Sequence, residues 1–142
     1  KKFPEVDYKQ DYIFAYSVFT HTDLTEFVET LEWLTWFDFK KLAVSVLDIN
    51  RDEIHKFFYD KRIEDYGHCV DLSEMKGKNI AYLYNNETIL YDKISAYKLD
   101  VQHFLSLYNI DFLVETLGEY GFNVTIEKPG KGIIPFVCME KK

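Results

Sequence analysis

The sequence predicts an α+β fold: a single globular domain over residues 1–142, with a mixed, mostly antiparallel sheet and helices packed on one face. Three observations predict it. Runs rich in β-branched and aromatic residues alternate with segments whose apolar residues recur at three and four. Two short β-rich runs flank Asn85-Asn86, a hairpin signature. The 142-residue length, with 47% hydrophobic and 29% charged residues, suits one domain with its own core. The predicted order is β-α-β-α-β-β-α-β-β.

Residues 12–19 form the first predicted strand, because nearly every position is aromatic or aliphatic. A helix over 23–36 follows. Asp23 and Glu26 have capping-box spacing, and Leu24, Phe27, Val28, Leu31 and Leu34 share one face. Residues 42–49 are almost unbroken aliphatic, which predicts a strand buried on both sides. Asn50 is the expected cap of a second helix carrying Ile54, Phe57 and Phe58 inward, with Gly67 as its stop.

Residues 79–84 and 87–92 form the predicted hairpin. From Asp100 the spacing of Val101, Phe104, Leu105 and Tyr108 predicts a helix, broken near Asn109 and resuming to Tyr120. Gly121 ends it. Residues 122–126 alternate as a strand, 128–132 make a turn, and 133–139 form a last strand. Pro135 lacks an N–H, which places that strand at a sheet edge. The tetrapeptide Val28-Glu29-Thr30-Leu31 returns at Val114-Glu115-Thr116-Leu117, but the likeness fades on either side.

Composition narrows the function classes. The chain holds 12 Phe, 11 Tyr and 2 Trp, and 24 Asp and Glu against 17 Lys and Arg, for a net charge of −7. Such a field attracts cations and opposes direct binding to nucleic acid. No apolar run reaches the ~18 residues of a membrane span. Cys69 and Cys138 match no metal spacing and suit reduced thiols in a cytoplasmic protein, although spacing alone does not exclude their pairing. Richness in Asn, Lys, Tyr, Ile and Phe fits the codon bias of a low-GC bacterium, its mobile elements or a phage.

No catalytic residue and no cofactor emerge. The serines lack a nucleophile elbow, and six glycines include no phosphate loop. The densest polar stretch runs from Tyr59 to Asp71. Asp65, His68 and Asp71 there could ligate a divalent metal, but Gly67 breaks helical spacing, and a solvated helix end is the plainer reading. Trp33, Trp36, Phe37 and Phe39 form the strongest aromatic knot. It reads either as a broad buried arc or as a surface for a protein partner or a second copy, making a homodimer. Tyr82 and Tyr84 share one face of the hairpin and, with Tyr91, offer a second candidate surface.

These features together lead to the expectation of a non-enzymatic, acidic protein-binding module, an inhibitor or immunity-type protein. Its partner would be a basic or nucleic-acid-binding protein, held through Trp33, Trp36, Asp60, Glu64, Asp65 and Tyr66. One alternative is a binder of small molecules or nucleotide derivatives with an aromatic pocket. Another is a small metal-dependent hydrolase using Asp65, His68 and Asp71.

Overall fold

The computed structural model describes residues 10–66, 73–84, 87–91, 104–127 and 134–142. The described residues form an α+β fold with strands β1 (Gln10–Ala15), β2 (Phe39–Ser45), β3 (Leu47–Asp48), β4 (Ile80–Tyr84), β5 (Glu87–Tyr91), β6 (Leu105–Tyr108), β7 (Phe122–Glu127) and β8 (Phe136–Lys141). The α-helices are α1 (Leu24–Leu34), α2 (Asp52–Tyr66) and α3 (Ile110–Glu119). The strands divide between two mixed sheets, ordered β1-β2-β8-β7 and β3-β6-β4-β5.

The first sheet begins with a parallel β1-α1-β2 unit, and β2, β8 and β7 continue it antiparallel. Period-two alternation sorts its side chains. Leu42, Val44, Val137 and Met139 point into the core, and Ile13, Ala15, Val124 and Ile126 pack beside them. Helices α1 and α3 cover this face through Leu24, Phe27, Leu31, Leu113 and Leu117. The second sheet closes the same core with Ile80, Tyr82 and Tyr108. Its other face carries Ala81, Leu83 and Leu107, which meet Ile54 of α2 and Met75 in a second cluster. Helices α1 and α2 therefore lie on opposite faces of the β3-β6-β4-β5 sheet.

The aliphatic run at 42–49 is two strands. The chain leaves the first sheet after Ser45 and enters the second at Leu47, and the Val46 N–H crosses over to the Pro135 carbonyl. Continuous burial of Val44, Val46, Leu47 and Ile49 is what a crossing between two sheets requires. The first strand is shorter at its C-terminal end than expected. It stops at Ala15, Ser17 takes φ of 58°, and a 3-10 turn at Phe19–His21 leads to α1.

Phe57, expected on the inward face of α2, is instead 50% exposed, while Ile54 alone of that pair is buried. Three further expectations fail for physical reasons. The helix expected over 100–108 is not formed in its described part. Leu105–Tyr108 is strand β6, paired parallel to β3 and antiparallel to β4. A short, mostly apolar run satisfies either period, and the sheet supplies partners for both sides. The last strand is not an edge strand, because β8 lies between β2 and β7. Pro135 precedes its first residue, so no ladder bond is lost, and its carbonyl is used. Asn50 does not cap α2 directly. Its side chain accepts the Gly77 N–H, while the Arg51 carbonyl receives the N–H groups of Ile54 and His55.

Other expectations stand. Asp23 and Glu26 make the full capping box of α1. Asn109 caps α3, accepting from Asp111 and Phe112. The hairpin pairs Tyr84 with Glu87 across a two-residue connection. Gly121 ends α3 with φ of 90°, a conformation that glycine adopts without strain. The repeated tetrapeptide lies on α1 and α3, where Leu31 and Leu117 are both buried. The preceding strands nevertheless belong to different sheets, so the surrounding topology does not repeat. The expected turn at 128–132, the stop at Gly67 and Cys69 lie outside the described residues.

Candidate functional site

Helices α1 and α3 leave an open groove of about 350 Å³ between them, lined by Leu24, Val28, Glu29, Glu32, Glu119 and Tyr120, among others. A second depression continues along α1 past Glu26, Glu29 and Trp33. Among the described residues, the linings contain four carboxylates, from Glu26, Glu29, Glu32 and Glu119, and no Lys, Arg or His. Amphipathic spacing produces this arrangement. Positions 24, 27, 28 and 31 of α1 are claimed by the core, which leaves 26, 29 and 32 facing water.

Trp33 is 37% exposed and Trp36 is 79% exposed. Trp33 packs edge-on against Phe37, with centroids 4.9 Å apart. Trp36 lies past the end of α1, in a turn closed by the Trp36 N–H on the Trp33 carbonyl and the Phe37 N–H on the Leu34 carbonyl. Lys141 secures this end: its Nζ donates to the carbonyls of Thr35 and Phe37, at 2.8 and 2.6 Å. The same ammonium stands 4.6 Å from the centre of the Phe39 ring. Lys142 donates to the Gly118 carbonyl near the end of α3. Cations at helix C-termini meet the negative end of the dipole.

The other end of α1 is held from the second sheet. The Tyr82 hydroxyl accepts the Leu24 N–H, and the hydroxyls of Ser106 and Tyr108 both donate to the Thr22 carbonyl. Burial pushes the Tyr108 hydroxyl well above its ordinary pKa of 10.0, and the neighbouring Tyr82 and Asp23 act in the same direction. Tyr82, one of the hairpin tyrosines offered as a surface, is thus a core residue, fully buried. The side chains of Tyr84 and Tyr91 lie outside the description.

The other residues named from sequence do not join the tryptophans. Asp60 is exposed on α2, on the far side of the second sheet from α1. Glu64, Asp65 and Tyr66 fall in the last turns of α2, where only the backbone is described, and His68 and Asp71 lie outside the described residues. No group of three or more His, Cys, Asp or Glu suited to a metal occurs among the described residues. His21 and His55 serve packing, with ring nitrogens bonded to the carbonyls of Phe104 and Ile49. No described helix is long and apolar enough to cross a membrane.

A second surface escaped the sequence reading. Tyr12, Phe14 and Tyr16 project from the outer face of the first sheet, 72%, 64% and 58% exposed. Phe136 joins them, its ring centre 5.1 Å from Phe14 and 6.2 Å from Tyr16. The two-residue step of the rings, with Ile13 and Ala15 between them, was the available signal. It was silent on which side faces water, because both sides are apolar. Cys138 lies buried on this face, opposite Ala43 and Thr125 on its two neighbouring strands and close to the Lys41–Glu127 ion pair. Burial raises its thiol pKa, and the hydrogen bond from Lys41 lowers that of Glu127.

Comparison with family models, curated proteins and solved structures finds no match for this chain.

Proposed function

We propose that this chain is a non-catalytic protein-binding module of inhibitor or immunity type, whose α1/α3 face takes a cationic surface of a partner protein. The observation that carries this reading is the pairing of four carboxylates with exposed rings on one face. Glu26, Glu29, Glu32 and Glu119 stand beside Trp33 and Tyr120, with Trp36 projecting at the end. Rigid aromatic anchors within a ring of like charge supply contact area and steering together. A basic or nucleic-acid-binding protein carries the complementary charge. The groove is open rather than enclosed, which favours a protein surface over a small ligand that must be surrounded.

The test is affinity capture from an extract of the source organism. Wild type, Trp36→Ala, Glu29→Gln/Glu119→Gln and the remote control Phe57→Asp are compared at low and high ionic strength. The expected result is a basic protein retained by wild type and Phe57→Asp, released by salt, and lost from the groove variants. Equal retention by all four proteins would overturn the reading.

A further inference from the structure

The outer face of the β1-β2-β8-β7 sheet has a different character from the α1/α3 groove. Phe14, Tyr16 and Phe136 form a contiguous cluster of rings, and the exposed Tyr12 extends it two residues back along the same strand face. Single exposed rings are ordinary, whereas a contiguous row marks an interaction surface. Among the described residues, charge on this face is nearly balanced, with one lysine near two glutamates. Lys41 is bonded to Glu127 at 3.0 Å and stands near Glu140.

We infer that this face is a self-association surface, on which a second copy of the chain docks sheet to sheet about a two-fold axis. Charge selects the occupant. A second copy brings another −7, so it can approach only where the local charge is close to neutral. The α1/α3 face, with four carboxylates, repels its own copy, while the rings themselves carry no charge.

Area is consistent with this. At roughly 200 Å² for a fully exposed ring side chain, Tyr12, Phe14 and Tyr16 present about 400 Å². That is half of the ~800 Å² per partner that a standard interface buries. The neighbouring side chains of Lys41, Ala43, Thr125 and Phe136 lie on the same face and extend the patch. A two-fold axis sets each ring row against its own copy, as an isologous interface requires, and aligned sheets pack ~10 Å apart.

The row is also held in place beforehand. The Ser17 N–H donates to the Ser45 hydroxyl at 2.7 Å, fixing the backbone beside Tyr16, and Phe136 braces two of the rings. These contacts reduce the rotamer freedom that Phe14 and Tyr16 have to lose on docking.

The test is sedimentation equilibrium from about 1 to about 100 µM, which spans the weak end of interfaces of this size. Wild type is expected to pass from one-chain to two-chain mass. Phe14→Asp and Tyr16→Asp should raise the midpoint concentration at least ~10-fold. Circular dichroism should show them folded, since both side chains are mostly exposed. Tyr12→Asp, at the most exposed ring of the row, provides the same reading if Phe14→Asp does not fold. Phe57→Asp, an exposed ring on α2, should leave the midpoint unchanged. A one-chain mass throughout would overturn the inference and assign the face to another occupant. So would a dimer insensitive to the folded Tyr12, Phe14 and Tyr16 variants, or one lost with Phe57→Asp.

Discussion

The Tyr82 hydroxyl of β4 accepts the backbone N–H of Leu24, the first residue of α1, at 2.9 Å. The contact spans 58 residues of sequence and is buried. It ties the second sheet to the helix that covers the first. Two further hydroxyls, of Ser106 and Tyr108, hold the Thr22 carbonyl two residues earlier. The entrance of α1 is therefore fixed by polar contacts inside an apolar core, where an unmet backbone group is costly.

Tyr82→Phe removes an acceptor and leaves ring packing against Phe104 in place. The Leu24 N–H then stays buried without that partner. The expected loss is about 1–2 kcal/mol of stability, or roughly 3–8 °C in thermal midpoint. Denaturant unfolding monitored by circular dichroism measures it. An unchanged midpoint with an unchanged slope would remove the hydroxyl from the account of α1.

Much of this fold was legible because local rules and tertiary packing agreed. The capping box at Asp23 and Glu26, the Asn85-Asn86 connection and the helix preceding Gly121 are each dictated by residues close in sequence. Two of the misreadings share a cause. Leu105–Tyr108 and the run at 42–49 are mostly apolar with few polar residues to mark a face, so periodicity carried little information there, and pairing partners far away decided the outcome. Of the site, Trp33 and Trp36 were legible as a surplus of rings beyond the core stripe. Glu29, Glu32 and Glu119 were not, because their grouping depends on how α1 and α3 pack.

Tyr108 makes stability sensitive to alkali. Its hydroxyl is fully buried, and its pKa lies well above the unfolded value of about 10. The unfolded chain releases this proton near pH 10, while the native chain retains it. Above that point the native state binds more protons, so stability falls as pH rises. The contribution is intact below pH 10 and is lost as pH climbs from 10 through the raised native pKa. The limiting slope from one such group is about 1.4 kcal/mol per pH unit. Tyr108→Phe should reduce the slope above pH 10 by this group's share, while lowering stability at neutral pH through the lost bond to Thr22. Parallel slopes for wild type and variant would show that Tyr108 does not titrate on unfolding.

Asp23 caps α1 from a position only 1% exposed. Its carboxylate accepts the Glu26 N–H at 2.8 Å, and Glu26 reaches back to the Asp23 N–H. Asp23→Ala should cost about 2 kcal/mol, at the upper end of the capping range because the site is buried. Glu26→Gln keeps the acceptor of the return bond and should cost a few tenths. Chemical denaturation separates the two. Equal losses would mean that the charge of Glu26, rather than the cap geometry, carries the effect.

Trp36 and Glu29 separate binding from stability. The Trp36 ring is 79% exposed, so Trp36→Ala should move the unfolding midpoint little, with a change within about 0.5 kcal/mol. As an interface anchor its removal should cost about 2 kcal/mol of affinity, near 30-fold in Kd, expressed mainly as faster dissociation. Glu29→Gln should act on the other rate. It lies in both depressions beside α1, where its charge adds to the field that steers a cationic partner. Losing it should slow association, weaken the dependence on ionic strength and leave dissociation nearly unchanged. Surface plasmon resonance at two salt concentrations, using the captured partner, resolves both rates. A Trp36→Ala protein that binds as tightly as wild type, or a Glu29→Gln protein with an unaltered salt dependence, would detach that residue from the proposed surface.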